Sequence, residues 1–360
     1  MRIIDLKDRL AALGAKPIHT QRVLRLWAQA KPQDSGKRRP EDILPLTVRE
    51  AMPALVDELQ SLATLQSAHP GEDGSERLLV GLRDGQTVES VLLPRGGLCV
   101  SSQVGCAVGC VFCMTGTGGL IRQVGSAEIV AQVALARQRR AVNKVVFMGM
   151  GEPSHNLDNV LEAIGLLGTV GNIGHKQLVF STVGDPRAFE RLHALQHGDV
   201  RPALAVSLHT TRPDLREKLL PRAPRLGIDE LVDHAERYAR ASGYPIQYQW
   251  TLLEGINDSE EEIEGIVQLL QGKYALMNMI PYNAVDGLPY QRPSWERAAE
   301  IARTLHRRGI LTKLRNSAGQ DVEGGCGQLR ARALAADADG ATGLAAQPQP
   351  MRVLRRGTSA

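Results

Sequence analysis

Three of the five cysteines stand within eight residues, at Cys106, Cys110 and Cys113, in a C-x3-C-x2-C arrangement. Three thiolates on one short loop can bind three irons of a [4Fe–4S] cluster and leave the fourth iron open to another ligand. A structural zinc site usually takes four ligands in two separated pairs, and no histidine stands close enough in the sequence to complete one. The spacing therefore favours a [4Fe–4S] cluster over zinc or a purely structural role.

The other two cysteines, Cys99 and Cys326, stand apart from this motif. An odd number of cysteines does not fit a disulfide framework. Cys99 lies on a predicted strand, where a buried structural thiol is an alternative to a reactive one. Cys326 is flanked by Gly325 and Gly327, which is typical of a loop tip and favours an exposed, reactive thiol.

Polar residues follow several predicted strands, at the points where each strand ends. Gly151 and Glu152 belong to a Gly-Met-Gly-Glu-Pro segment, in which glycine lets the backbone approach a ligand and the carboxylate can bind an ammonium group. A tight strand-to-helix turn is the alternative interpretation. Because the C-terminal ends of parallel strands meet at one face of a barrel, the sequence predicts a shared ligand site there. Its further candidates are Ser181, Ser207, Leu208, His209 and Asn283.

From residue 98 onward, short apolar runs alternate with helical periodicity, which predicts parallel strands joined by crossover helices. The predicted strands are Leu98–Ser102, Val145–Met148, Leu178–Thr182, Ala203–Leu208, Ile246–Thr251, Leu276–Ile280 and, last, Ile310–Leu314. The predicted helices are Ser126–Arg139 with Ser126 as its cap, Asn156–Leu167, Pro186–Leu195, Ile228–Ser242, Ser259–Leu270 and Trp295–Arg307. The first six β/α units are too few to close an eight-fold barrel, so we expect an α/β fold with a partial (β/α)6 barrel.

The rest of the chain is expected to form smaller units around this barrel. Residues 1–75 predict a helical accessory domain, because leucines recur there at helical spacing. Residues 76–97 alternate around an Asp-Gly turn and predict a β-hairpin extension. Residues 98–333 then form the barrel and the loop that carries Cys326. Residues 334–360 are rich in alanine, glycine, proline and glutamine, which predicts a disordered tail.

Length and charge set only broad limits on the function. The chain has 360 residues and a formal net charge of +4, and this charge is too small to identify a polyanionic partner by itself. No apolar run reaches the roughly 18–20 residues that span a bilayer. The N-terminus also lacks the apolar core of a secretory signal, so we expect a cytoplasmic protein without a membrane partner.

Several segments, in the same order, resemble the RlmN/Cfr family of radical S-adenosylmethionine (radical SAM) RNA methyltransferases over residues 1–335. The three-cysteine motif, with Phe112 just before its last cysteine, is similar to that of the whole radical SAM superfamily. The other shared segments are Thr87–Val91, Leu98–Cys106, Gly149–Pro153, Ser181–Gly184, Ser207–His209, Ile280–Asn283 and Cys326–Leu329.

The resemblance implies a reaction that uses S-adenosylmethionine twice. One molecule methylates the thiol of Cys326, and a second is cleaved at the [4Fe–4S] cluster to give a radical that removes a hydrogen atom from that methyl group. The carbon radical adds to an adenine ring carbon, Glu89 accepts the proton from that carbon, and Cys99 releases the product through a transient disulfide with Cys326. The cofactor contacts that the resemblance implies are Gly151, Glu152, Ser181, Ser207, Leu208, His209 and Asn283.

The resemblance also implies partners and a substrate. RNA would be bound with the help of the N-terminal helical domain, and a reductant such as flavodoxin would supply electrons. Ribosomal RNA is the expected substrate, transfer RNA is a second candidate, and C2 of adenine is favoured over C8. The segments after Cys113 and before Cys326 depart from the usual family sequence, and Ser181–Gly184 is closer to the Cfr version, which fits a divergent RlmN-like paralogue.

Two other functions compete with this one. A radical SAM enzyme of another class, such as a glycyl-radical activating or peptide-modifying enzyme, would need the cluster but neither Cys99 nor Cys326. A non-enzymatic, metal-stabilised RNA-binding protein would need no cofactor contacts at the strand ends.

Overall fold

The computed structural model describes residues 1–37, 39–285 and 287–331. The predicted disordered tail at 334–360 lies outside the described residues. The helices of the described chain are α1 (Ile3–Ala12), α2 (Pro17–Ala28), α3 (Leu46–Ser61), α4 (Ser126–Arg139), α5 (Leu157–Thr169), α6 (Pro186–His193), α7 (Pro213–Leu219), α8 (Ile228–Ser242), α9 (Glu260–Leu270) and α10 (Trp295–Arg307). Its strands are β1 (Thr64–Pro70), β2 (Glu76–Gly81), β3 (Thr87–Leu93), β4 (Gly97–Cys99), β5 (Gln103–Gly105), β6 (Leu120–Gln123), β7 (Lys144–Phe147), β8 (Leu178–Thr182), β9 (Ala203–Ser207), β10 (Ile246–Leu252), β11 (Ala275–Pro281) and β12 (Thr312–Leu314).

Across the described residues, ten of these strands form one sheet in the order β1-β2-β3-β4-β7-β8-β9-β10-β11-β12. Neighbouring strands from β4 to β12 are parallel, whereas β1 to β4 pair antiparallel. Helices α4 to α10 connect the parallel strands, as crossover connections require. The predicted α/β fold with a partial barrel is therefore confirmed, and the antiparallel strands extend one edge of its sheet.

The two faces of the sheet have different roles. On β10 and β11, Tyr248, Trp250, Met277 and Met279 are buried in the hydrophobic core beneath the helices. Because successive strand residues point to opposite faces, the residues between them lie on the inner face of the barrel. Burial of apolar side chains on the outer face is the main contribution to stability, and the inner face can therefore carry polar groups for binding and chemistry.

Several predicted elements agree with the structure. Helices α4, α8 and α10 have the predicted bounds. The predicted capping role of Ser126 is wrong, because Gly125 is the N-cap residue. The Ser126 hydroxyl instead accepts a hydrogen bond from the backbone N–H of Ile3 at 2.8 Å and donates to Glu162 at 2.5 Å. It therefore joins the N-terminus of the chain to α4 and α5.

The sequence patterns do not predict β1, the β5–β6 ribbon or α7. Residues 64–70 were expected to be part of the helical domain, but they form β1, which pairs antiparallel with β2. The predicted hairpin is thus the second half of a three-stranded meander. Helix α7 has only seven residues, several of them charged, and so shows little apolar periodicity. None of the helices within 1–37, 39–285 and 287–331 is long and apolar enough to cross a membrane.

Candidate active site

The loop after β5 carries the three motif cysteines, Cys106, Cys110 and Cys113. It extends from the ribbon that β5 and β6 form. At its base, the N–H of Cys106 donates to the carbonyl of Gly119 at 2.9 Å. At its far end, the N–H of Met114 donates to the carbonyl of Gly327 at 2.8 Å. The motif loop is therefore attached to its own ribbon and to the segment that carries Cys326.

The motif cysteines form one electrostatic group. Burial raises the pKa of Cys106 to about 12 and also raises the pKa of Cys110 and of Cys113, and neighbouring thiolates and Glu152 add to the effect for the first two. Within the described residues, no three His, Cys, Asp or Glu side chains converge as the ligands of a single metal ion do. A cubane cluster needs no such convergence, because each thiolate binds a different iron. The donor set therefore fits a [4Fe–4S] cluster, whose irons would stabilise the thiolates.

Gly151 and Glu152 follow β7 and pack against β5. Gly151 has a φ of +102°, and a Cβ atom there would lie 2.5 Å from Cβ of Gln103, so the close approach that requires glycine is to β5. The buried carboxylate of Glu152 accepts hydrogen bonds from the N–H of Ser154 at 3.1 Å and the N–H of Val183 at 3.0 Å. Burial raises the pKa of Glu152, although these hydrogen bonds oppose the shift. Each carboxylate oxygen has a second lone pair for a ligand.

His209 follows β9 and is held in an uncommon backbone conformation. Its φ is +62°, in the left-handed region that residues with a Cβ atom rarely adopt, and Nδ2 of Asn257 donates to its carbonyl at 2.7 Å. The N–H of Thr251 donates to Nδ1 of the ring at 3.0 Å, so the proton of the neutral ring lies on Nε2. Burial, aided by the charge of Arg216, lowers the pKa of His209 to about 3. The ring packs edge-on against Phe112, with centroids 4.9 Å apart.

The remaining strand-end candidates differ in how they face the site. Ser207 pairs with Gln249, which lies between the outer-face residues Tyr248 and Trp250, and Ser181 pairs with Ala205, two residues before Ser207. Both serines are therefore on the inner face. The side chain of Leu208 is buried in the hydrophobic core. The structure therefore brings Ser181 and Ser207 together, whereas Leu208 can offer a ligand only its backbone.

Arg216 is a site residue that no sequence pattern indicates. It lies on α7, and its Nη2 donates to the carbonyl of Val183 at 2.5 Å and to that of Ser207 at 3.2 Å. The buried guanidinium also interacts electrostatically with Cys110 and Glu152. Arg216 therefore joins the ends of β8 and β9 and places a positive charge beside the motif loop. A single arginine on so short a helix gives no recognisable sequence signal.

Cys326 lies on the C-terminal loop, close to the motif cysteines. Nδ2 of Asn283 donates to the carbonyl of Cys326 at 2.9 Å and to Oγ of Ser317 at 3.0 Å. Part of the residue is exposed to solvent, but its thiol lies against the protein, and this burial raises the pKa of Cys326. Arg315 opposes the shift, and a charge on Cys113 adds to it. Asn283 therefore contacts the loop that positions this thiol.

Cys99 is buried on β4 and interacts electrostatically with the thiol of Cys326. Burial raises the pKa of Cys99, and a negative charge on Cys326 raises it further. Arg315 interacts with both thiols. All five cysteines are free, so the predicted disulfide between Cys99 and Cys326 is not formed in this structure. The inner face thus brings together Cys99, Cys326 and, through Cys113, the motif loop.

Glu89 is fully buried on β3, where it forms an ion pair with Arg77. It lies two residues from Val91, which pairs with Cys99, so Glu89 and Cys99 share the inner face. Its Oε2 accepts a hydrogen bond from the N–H of Arg330 at 2.8 Å. Burial raises the pKa of Glu89 to about 7, because its removal from water outweighs the charge of Arg77. A carboxyl group that titrates near neutral pH therefore lies beneath the C-terminal loop.

Comparison with known proteins agrees with this geometry. Residues 100–270 match the model of the radical SAM superfamily. A probable RNA methyltransferase from Leptothrix cholodnii is 73% identical over 94% of this chain and 96% of its own length, and one from Methylibium petroleiphilum is 72% identical over 93% and 94%.

Among solved structures, a radical SAM methyltransferase from Sphaerobacter thermophilus is 34% identical, with a TM-score of 0.80. The match covers 92% of this chain and 98% of that one. Similarity of this degree extends over nearly the whole chain and includes the loop of motif cysteines. The chain therefore belongs to the radical SAM superfamily and, within it, to the methyltransferase family of these relatives.

Proposed function

We propose that this protein methylates a ring carbon of adenine in RNA and carries the methyl group on Cys326. The names of the relatives support RNA as the substrate class, and the RlmN/Cfr resemblance supports the route. Ribosomal RNA is the proposed substrate, transfer RNA the second, and C2 is favoured over C8. Residues 1–75 serve as the RNA-binding domain of a cytoplasmic enzyme, and a reductant such as flavodoxin supplies electrons.

The observation that carries this proposal is the position of Cys326 between two thiols with different surroundings. Cys113 belongs to the motif loop, and Cys99 lies outside it on the inner face. A thiol beside the motif loop can receive a one-carbon group and pass it on, and a second free thiol can then displace it. A radical SAM enzyme that activates another protein or modifies a peptide has no need of this pair.

The motif cysteines would hold a [4Fe–4S] cluster, and the polar groups at the strand ends would hold S-adenosylmethionine. When bound, this pair supplies the methyl group and the radical chemistry that an electrophilic aromatic carbon requires. The carboxylate of Glu152 can accept hydrogen bonds from the ammonium group of the cofactor. His209 is neutral and can donate from Nε2 without adding charge beside the cluster.

Glu89 and Cys99 complete the reaction on the inner face. The radical adduct between Cys326 and the RNA has to give up one electron, which the oxidised cluster would accept, and the carboxylate of Glu89 accepts the proton from the ring carbon. The thiol of Cys99, whose pKa is raised by burial, loses its proton as it attacks the sulfur of Cys326, so that an S–S bond forms and an S–C bond breaks. The electron pair of the broken bond passes to the carbon, which is protonated to give the methyl group.

Mass analysis of the peptide that contains Cys326 tests the proposal. Protein expressed with iron and purified without oxygen is expected to carry an additional methyl group on Cys326. Cys99 in the same preparation serves as the internal control and is expected to be unmodified. Cluster-loaded protein with an unmodified Cys326 thiol would contradict the proposal and favour the other radical SAM classes.

The Cys99→Ala variant is expected to accumulate RNA covalently attached through Cys326, because the adduct then lacks the thiol that releases it. Denaturing gels with labelled RNA measure the adduct, and nuclease digestion followed by mass analysis locates it. The Cys99→Ala,Cys326→Ala double variant is the matched control and should form none. An active preparation of Cys99→Ala without any adduct would show that Cys99 does not release the product.

The pH dependence of RNA methylation is expected to follow Glu89. Because its pKa is raised to about 7, the carboxyl group is protonated below that pH and cannot accept the proton from the ring carbon. The value of kcat/KM should therefore fall tenfold per unit as pH decreases below about 7. Glu89→Gln should lower methylation by about 10²–10⁴-fold without preventing methylation of Cys326. A profile with the same acidic limb in Glu89→Gln would assign the titration to another group.

A further inference from the structure

Two side-chain amides on the inner face have no role in the proposed methylation reaction. Gln249 on β10 and Asn278 on β11 are opposite each other in register. Their strand neighbours Trp250 and Met277 belong to the hydrophobic core, so the amides point to the inner face. Gln249 also pairs with Ser207 on β9. The two amides therefore lie at the level of the strand-end site.

Both amides are removed from solvent, with Gln249 5% and Asn278 2% exposed. Nε2 of Gln249 donates to the carbonyl of Gln247 at 2.9 Å, which orients the amide and leaves Oε1 as an acceptor. In the described part of the chain, Oε1 of Gln249 and Nδ2 of Asn278 are buried without a hydrogen-bond partner. Leaving buried polar groups unpaired lowers stability, so a ligand that pairs them would recover this cost.

We propose that Gln249 and Asn278 form a recognition site for an adenine base. Adenine presents an amine donor beside a ring-nitrogen acceptor, which is the pattern that amide side chains read. Here Oε1 of Gln249 would accept from the N6 amine and Nδ2 of Asn278 would donate to a neighbouring ring nitrogen. A base with a carbonyl at position 6, such as hypoxanthine, would place an acceptor against Oε1. The side chains of Gln249 and Asn278 therefore favour a base that has an amine at position 6.

The surroundings of the amide pair suit a base that leaves its stack and enters the barrel. Lys313 pairs in register with Asn278, and Arg315 interacts with the thiols of Cys99 and Cys326. Cations at this edge can meet the phosphates of a nucleic acid, while the base itself is read inside the protein. The identification of this base as the substrate rests on the proposed function. Because S-adenosylmethionine also contains adenine, the experiment has to separate the two sources.

Equilibrium dialysis of free adenosine and inosine against the iron-loaded full-length protein tests the site without requiring turnover. The wild type is expected to bind adenosine about tenfold or more tightly than inosine, the factor that a good base contact supplies. Gln249→Met and Asn278→Leu should lose this preference. Their melting temperatures should change little, because removal of the unpaired Oε1 and Nδ2 atoms offsets the loss of the hydrogen bond from Gln249 to Gln247. Gln268→Met, at an exposed position on α9, is the control and should keep the preference.

Kinetics then identify the source of the adenine. A raised KM for a ribosomal RNA transcript in both variants, with an unchanged KM for S-adenosylmethionine, assigns the site to the substrate. A raised KM for S-adenosylmethionine, together with slower RNA-independent methylation of Cys326, assigns it to the cofactor, and both results support an adenine site. Variants that keep the adenosine preference overturn it, whether or not their melting temperatures fall. If the wild type methylates no RNA, the proposed function is wrong. The dialysis result then still shows whether Gln249 and Asn278 bind adenine.

Discussion

The Cys110→Ser variant is expected to lose its iron–sulfur absorption and nearly all of its methyl transfer. Cys110 is one of three thiols on the motif loop, and a serine hydroxyl is a much poorer ligand than a thiolate for the irons of such a cluster. The rate should fall by more than the roughly 10–100-fold that loss of an outer-shell partner of a metal costs. Iron and sulfide content, the visible spectrum and the rate of RNA methylation measure these effects.

Cys99→Ser is the matched control for this experiment. It makes the same substitution at a buried cysteine on β4, outside the motif loop. Its iron content should equal that of the wild type, although product release should fail. A Cys110→Ser protein with full iron content would contradict the cluster assignment, and so would zinc in place of iron in the anaerobically purified wild type.

Replacing Arg216 with glutamine is expected to lower the reduction potential of the cluster and to slow the cleavage of S-adenosylmethionine. The buried guanidinium interacts with Cys110, and a nearby positive charge favours the more negative, reduced form of a cluster. A tenfold change in the equilibrium for reduction corresponds to about 59 mV for one electron, and we expect a decrease of about this size. A redox titration monitored by electron paramagnetic resonance measures the potential.

Two further variants separate the charge of Arg216 from its hydrogen bonds. Arg216→Lys keeps the charge and should keep a potential close to that of the wild type. Arg212→Gln changes an exposed arginine at the start of the same helix, one that lies beside Asp214, and should have no effect. If the lysine and glutamine variants of Arg216 shift the potential equally, the hydrogen bonds to Val183 and Ser207 determine it, and the charge does not.

Much of the barrel could be predicted from apolar periodicity. Helices such as α8, with a regular apolar stripe and charged residues on its other face, were found with the observed bounds. Strand β1 was missed because Thr64–Pro70 contains mostly polar or small residues and lies largely exposed. It is a strand because β2 provides backbone hydrogen-bond partners. Such pairing depends on tertiary structure, which local periodicity does not report.

In the candidate site, too, some residues could be predicted from the sequence and others depend on tertiary structure. Residues with distinctive chemistry at a distinctive spacing, above all the motif cysteines, could be identified from the sequence and from the family resemblance. Arg216, Gln249 and Asn278 could not, because their proximity arises from strand register and from a short helix. A weak signal exists for Asn278, since a polar residue inside an otherwise apolar strand indicates a special role for the inner face. Gln249 gives no such signal, because β10 alternates polar and apolar residues.

The side-chain amide of Asn283 connects cofactor binding to the position of the loop that carries Cys326. Its Nδ2 is shared between Ser317 and the carbonyl of Cys326, while its Oδ1 is buried without a partner in the described segments. Under the proposed function, the same amide also contacts S-adenosylmethionine. Cofactor affinity and loop position are then thermodynamically linked, and the linkage is reciprocal. Methylation of Cys326 should therefore change the affinity for the second cofactor molecule, so that the two successive occupants of one pocket bind with different dissociation constants.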